Sequence, residues 1–152
     1  MKHPADEATC GMMGSATGPQ DGSMFVLLEA ARSIQERLER ALEGVGLSSA
    51  KFQALEALVQ AHEPLTLGEL AGRLRCVRSN ITQLVDRLES DGLVRRVDDP
   101  SDRRAVRAVV TELGAERQAA GTAAIAQLHA DLAARLDPAE RVLFHRVLSA
   151  LR

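Results

Sequence analysis

From residue 23 onward apolar positions recur at helical spacing in six stretches, and a short pair of β-prone runs interrupts them after the fourth. Ser23 stands where an N-cap belongs, and Met24, Leu27, Leu28, Ala31, Ile34 and Leu38 trace a stripe to about Leu42, which Gly44 and Gly46 stop. Ser48 or Ser49 opens the second stretch, with Phe52, Leu55, Leu58 and Val59 inward and Pro64 marking its end. Lys51 and Gln53 fall on its outer side, either solvated or within reach of a phosphate backbone. Thr66 and Glu69 have the spacing of a capping box, in which each side chain satisfies a backbone donor of the other. Leu67, Leu70, Ala71 and Leu74 then give the third helix its buried face. Ile81, Leu84, Val85 and Leu88 repeat the spacing after a gap that leaves room only for a tight corner, and Gly92 caps this fourth helix.

Leu93 to Val97 and Val106 to Val110 read as two short strands joined by a polar loop from Asp98 to Ala105 that holds Pro100. Thr111 then caps a long alanine-rich helix from about Glu112 to Leu136, with Leu113, Ala120, Ala124, Leu128 and Leu132 as its apolar line. Asp137, Pro138 and Glu140 supply an N-cap, an N1 proline and an N3 acid for a last helix lined by Phe144, Val147, Leu148 and Leu151.

The outward face of the fourth helix carries Arg78, Asn80, Thr82, Gln83, Asp86 and Arg87, with Ser79 at its start. Asn and Gln pair bidentately with adenine, Arg with guanine, and Thr contacts a thymine methyl, so this set suits a helix that reads base edges. Any solvated helix face is polar, and that plainer reading stands beside it. The hairpin tip adds Asp102, Arg103 and Arg104, two adjacent cations placed to meet a phosphate backbone or a narrow minor groove. The plainer reading is a solvated tip where Asp102 pairs with Arg104, and the two readings are compatible, since an aspartate can orient an arginine that also meets phosphate.

The run LAGRLRCVRSNITQLVDRLESDGLVRRVDDPSDRRAVRAVVTELG resembles the winged helix-turn-helix of the MarR family of bacterial transcription regulators. Its most specific parts are D-P-S-D-R-R-A with the run into Val110-Thr111-Glu112-x-Gly114, and I-T-x-L-V-D-R-L-E. The likeness extends more loosely over Met24 to Arg152. It implies a mainly α fold with a small antiparallel β-wing, a recognition helix from about Arg78, and wing arginines at Arg103 and Arg104. Where the family usually has glycine and serine this chain has Arg75 and Val77, leaving Ser79 as the candidate cap.

Composition fits a single domain of 152 residues, with 45% hydrophobic residues but only 2% aromatics, so aliphatic and alanine packing carries the core. Residues 1–22, rich in Gly, Pro, Ser, Thr and Met without period, are expected to be a disordered tail. Residues 48–111 form the expected DNA-binding lobe within a domain spanning 23–152. Residues 23–46 and 112–152 supply dimerisation helices, with Leu27, Leu128, Phe144, Val147, Leu148 and Leu151 as contact candidates. Terminal helices with more apolar surface than a compact winged module covers imply a partner surface, most simply a twofold homodimer reading a pseudo-palindrome.

Net charge is −2, yet residues 64 to 114 hold nine arginines against eight acids, which leaves the lobe weakly basic and the remainder acidic. No signal-peptide core and no membrane-length apolar run occur, so the expected location is cytoplasmic. Cys10 and Cys76 have neither a C-x-x-C pattern nor an oxidising compartment to join them. Cys76 reads as a small buried hydrophobe, or as a thiol sensor between Arg75 and Arg78. His3, His62, His129 and His145 match no metal or catalytic spacing, and no phosphate loop is present, so neither an enzyme nor a metal or cofactor site is expected.

Three functions compete. The first is a dimeric repressor of double-stranded DNA released by a small-molecule effector, which the resemblance implies lodges between the dimer helices and the DNA-binding lobe. The second is the same fold triggered by oxidation of Cys76. The third is a helical module whose hairpin binds a protein.

Overall fold

A computed structural model describes residues 23–99, 102 and 105–150. The elements run α1 (Ser23–Glu43), α2 (Ser49–Ala61), β1 (Leu65–Thr66), α3 (Leu67–Leu74), α4 (Arg78–Ser90), β2 (Val94–Asp98), β3 (Val106–Val110), α5 (Glu112–Ala133) and α6 (Pro138–Ala150). The expected tail, the loop residues Pro100 and Ser101, the wing arginines Arg103 and Arg104, and Leu151 all lie outside the described residues.

Local chemistry sets most boundaries. Ser48 rather than Ser49 caps α2, its hydroxyl accepting from Lys51 N. At α3 the capping box is complete: Thr66 Oγ1 accepts from Glu69 N, and Glu69 Oε2 accepts from Thr66 N at 2.7 Å. Thr111 Oγ1 accepts from Gly114 N and donates to Gly92 O at 2.7 Å, tying the start of α5 to the corner before β2. Asp137 Oδ1 accepts from the amides of Ala139 and Glu140, while Glu140 reaches back to Asp137 N. Ser23 is itself helical, and the side-chain role assigned to it falls outside what is described.

Two helices end in left-handed glycines, Gly46 at φ 77° and Gly92 at φ 74°. In each case the next residue donates back five positions, Leu47 N to Leu42 O and Leu93 N to Leu88 O, and each of these leucine pairs is buried together. Helix α2 stops earlier than Pro64, because His62 adopts φ 55° and its N–H closes on Val59 O.

The core lies beneath the α2–α3–α4 corner. Leu42 and Leu47 meet Phe52, Leu55 and Leu58 of α2, Leu70 and Ala71 of α3, and Ile81, Val85 and Leu88 of α4, while Leu93, Val94 and Ala108 close it from the sheet. The sheet has order β1-β3-β2, both pairs antiparallel, with Leu65 opposite Ala108 and Val94 opposite Val110. The two-residue β1 strand is absent from the sequence expectation, because two residues are too few for an alternating pattern to register.

Glycine lets α5 cross this lobe closely. Gly121 lies flat against the Phe52 ring, and Gly114 packs on the Leu93 carbonyl. Beyond the lobe the outer half of α1 and all of α6 stand apart. Phe25 is 75% exposed, Val142 70% and Phe144 45%, with Leu27, Leu28, Val147 and Leu148 exposed beside them. Leu128 of α5 is half-buried.

Two expectations at the α3–α4 corner are corrected. Cys76 is exposed rather than buried, its thiol turned to Leu74 O at 3.4 Å, because the corner projects it outward beside Val77. Ser79 does not cap α4. Val77 is the N-cap residue and offers only its carbonyl, which accepts from Asn80 and Ile81, and Ser79 sits exposed inside the first turn.

Candidate nucleic-acid interface

The α3–α4 corner is built to hold α4 outward. Arg75 takes φ 51°, and Cys76 N reaches back to Ala71 O at 3.0 Å, the geometry a glycine ordinarily supplies. A side chain in that region costs roughly 1 kcal/mol, so Arg75 adds local strain at the corner. Ile81, Val85 and Leu88 then anchor α4 inward, and the opposite side presents Ser79, Asn80, Thr82, Gln83, Asp86 and Arg87, all exposed. Arg78 opens the helix, but its side chain lies outside the described residues.

The wing is fastened by two arginines. Arg107 of β3 donates from Nε to Asp99 Oδ2 at 2.6 Å and from a terminal nitrogen to Pro64 O at 2.9 Å, with Glu69 Oε2 3.9 Å away. Asp99 is 5% exposed, and its other oxygen accepts from Asp102 N, while Asp99 N and Ala105 O close the hairpin end. Asp102, expected to orient the wing, is exposed. The buried carboxylate that fixes the wing root is Asp99, which sequence reasoning missed because nothing in the pattern marks it as inward. Glu69 is held below the usual carboxylate range, chiefly by the Thr66 backbone N–H, then by the Thr66 hydroxyl and the positive charges of Arg107 and Arg73.

The second arginine, Arg96 of β2, reaches Asp86 Oδ1 and Glu89 Oε2 of α4, both at 2.5 Å, and its backbone N–H donates to Glu89 Oε1. On the far side Lys51 Nζ meets Asp91 Oδ2 at 2.5 Å, so Lys51 is a strut from α2 to the end of α4 rather than a free surface charge. Helix α4 is therefore tied to β2 along one side and to α2 just past its C-terminal end, with Ser79, Asn80, Gln83 and Arg87 left exposed.

A corner of two helices, an outward polar second helix and an arginine-fastened β-hairpin define a winged helix-turn-helix. Residues 47–106 match the model of the MarR family. Over 91 residues the chain is 34% identical to YkoM, an uncharacterized HTH-type transcriptional regulator of Bacillus subtilis, a stretch that is 60% of this chain and 58% of that protein. The fold matches YusO of the same organism with TM-score 0.72 and 24% identity, over 85% of this chain and 91% of that one. It also matches a mutant MarR from Escherichia coli solved with operator DNA, with TM-score 0.69 and 22% identity, over 88% and 99%. At these identities the structures establish the fold, and the chain spans a little more than half the length of the curated relatives it matches. The match to the MarR family is thus confined to this lobe, and YkoM, similar over it, is named as a transcriptional regulator rather than as an enzyme. Among the described residues no helix is long and apolar enough to cross a membrane, and no cluster of three metal-ligating side chains occurs.

Proposed function

We propose that this chain is a homodimeric, sequence-specific DNA-binding regulator, a repressor released from a pseudo-palindromic operator by a small molecule. The observation that carries this reading is the α4 face, where Ser79, Asn80, Thr82, Gln83 and Arg87 stand exposed on a helix anchored rigidly from behind. In this reading Asn80, Thr82 and Gln83 read bases in the major groove, Arg78 and Arg87 meet phosphate at its edges, and Arg103 and Arg104 carry the wing to the backbone. The exposed apolar surface of α1 and α6, with Leu27, Phe144, Val147 and Leu148, supports pairing with a second copy, and Leu128 and Leu151 extend the contact. Twofold pairing would set two α4 helices about one turn of DNA apart.

A crevice of about 310 Å³ lies where α2, the chain before β1, β3 and α5 meet, lined by Leu58, Val59, His62, Pro64, Val110 and Ala115 among others. It supports an apolar effector with a polar edge, acting by preferring a dimer whose recognition helices are misspaced for the operator. The exposure of Cys76 favours a second reading in which oxidation at the corner is the trigger. A gel shift on DNA upstream of the protein's own coding sequence tests the proposal, with binding expected to fade steeply as salt rises. No shift at any salt concentration defeats it, and an oxidant response that survives Cys76→Ser defeats the thiol trigger.

A further inference from the structure

Arg95 and Arg96 are neighbours on β2, and the pleat sends them opposite ways: Arg95 is exposed and Arg96 is half-buried against α4. Helix α4 has two acids, Asp86 and Glu89, three residues apart on the edge adjoining the sheet. The Arg96 guanidinium spans both, one terminal nitrogen on each carboxylate. Asp86 itself remains 55% exposed at the side chain, on the same helix face as Gln83 and Arg87. We infer that Arg96 is a positioning residue for DNA binding, an internal counter-ion that masks both acids of α4 and sets the angle between that helix and the wing.

Two acids beside a phosphate backbone would repel it, and their charge would oppose what Arg87 and the wing arginines contribute. A surface lysine would screen them loosely. The guanidinium instead offers a planar fork whose two arms are already committed, so it masks charge without competing for phosphate. The same fork joins a strand to a helix, which makes the wing-to-helix geometry depend on it.

This inference rests on α4 being the DNA-facing helix, and the experiment separates the two. The full chain, Arg96→Met, Asp86→Asn/Glu89→Gln, and the triple variant combining them would be titrated by fluorescence anisotropy with the protein's own upstream DNA and with sheared generic duplex, over a range of KCl. Arg96→Met should bind both probes on the order of tenfold more weakly at low salt, with the gap narrowing as salt screens the bared acids. Neutralising the acids in the triple variant should restore generic binding. A folded Arg96→Met that binds as tightly as the parent overturns the inference, and so does a loss that the triple variant leaves uncorrected at every salt concentration. Should Arg96→Met fail to fold, the Asp86→Asn/Glu89→Gln pair decides, because unmasking Arg96 should tighten generic binding and steepen its salt slope, and unchanged or weaker binding refutes the idea. A parent chain that binds neither probe removes the DNA-binding reading and this inference with it.

Discussion

Replacing Gly114 by alanine should destabilise this protein far more than a surface change in a helix has any right to. A Cβ built there falls 2.0 Å from Leu93 O and 2.8 Å from Val110 Cγ2. Carbon and carbonyl oxygen ordinarily approach no closer than about 3.3 Å, so something must move by more than an ångström, and the obstacle is backbone. The carbonyl in question already accepts from Thr111 N at 3.0 Å, and Thr111 Oγ1 is bonded to Gly92 O. Lifting α5 to make room therefore strains or breaks both bonds. Overpacking costs about 1 to 3 kcal/mol, the two hydrogen bonds are worth about 1 kcal/mol each, and the gain in helix propensity returns at most about 1 kcal/mol. The net loss is about 3 kcal/mol, which for a chain of this size lowers Tm by roughly 6 to 12 °C.

Gly72 provides the control within the same molecule. It lies exposed in α3 with nothing within 4 Å of an added Cβ, so alanine there should gain up to about 1 kcal/mol from propensity alone. Thermal and urea melts of the two variants at one fixed protein concentration read the contrast, since the stability of the proposed dimer would depend on that concentration. Gly114→Ala melting within about 0.5 kcal/mol of the parent, a shift typical of a harmless surface change, would show that the α5–wing contact is softer than described.

The remaining predictions concern binding, assembly and pH. Arg104→Ala should weaken binding to every duplex and lower the salt slope, whereas Asn80→Ala or Gln83→Ala should flatten sequence preference and leave generic affinity nearly intact; identical behaviour of the three in competition assays would abolish the division between positioning and readout. In the proposed dimer, truncating Phe144 and Leu148 to alanine removes four partly exposed apolar side chains at about 1 kcal/mol each, which should raise the dimer dissociation constant roughly a thousandfold. Sedimentation finding that variant still dimeric at low micromolar concentration would move the interface elsewhere. Glu69 titrates below its ordinary value when folded, so its contribution to stability is present above about pH 4.5 and disappears as pH falls through the depressed folded value. Melts of the parent and Glu69→Gln should accordingly differ at pH 7 and converge in acid, and a gap that does not vary with pH would place the effect outside ionisation.

What the sequence revealed here depended on range. The capping box at Thr66 and Glu69, the Asp137 cap, the Thr111 cap and the left-handed Gly92 are all decided within a few residues, and each is found where the spacing placed it. The same holds for the buried faces of α3 and α4, since helical periodicity is a local code. Cys76 misled because residue type was taken as an address. Its neighbours belong to an outward corner, and the corner's geometry, not the thiol's polarity, sets its exposure. Gly121 against Phe52 and Gly114 against Leu93 were invisible for a related reason: a glycine required for contact looks the same in sequence as one required for a turn.

The longer-range pairs explain why net charge is a poor guide to whether the proposed partner is DNA. Residues 64 to 114 hold nearly as many acids as arginines, which on a count alone argues against nucleic acid. In the folded lobe Asp86 and Glu89 are taken up by Arg96, Asp99 by Arg107 and Asp91 by Lys51, each pair joining different elements. Arg87 makes no ion pair among the described residues, so these four acids hold the scaffold while that cation stays exposed on the α4 face. Two proteins of equal composition would then differ in affinity for DNA according to which arginines face inward, and exchanging Arg96 for an outward cation at constant net charge should weaken binding although no charge has been lost.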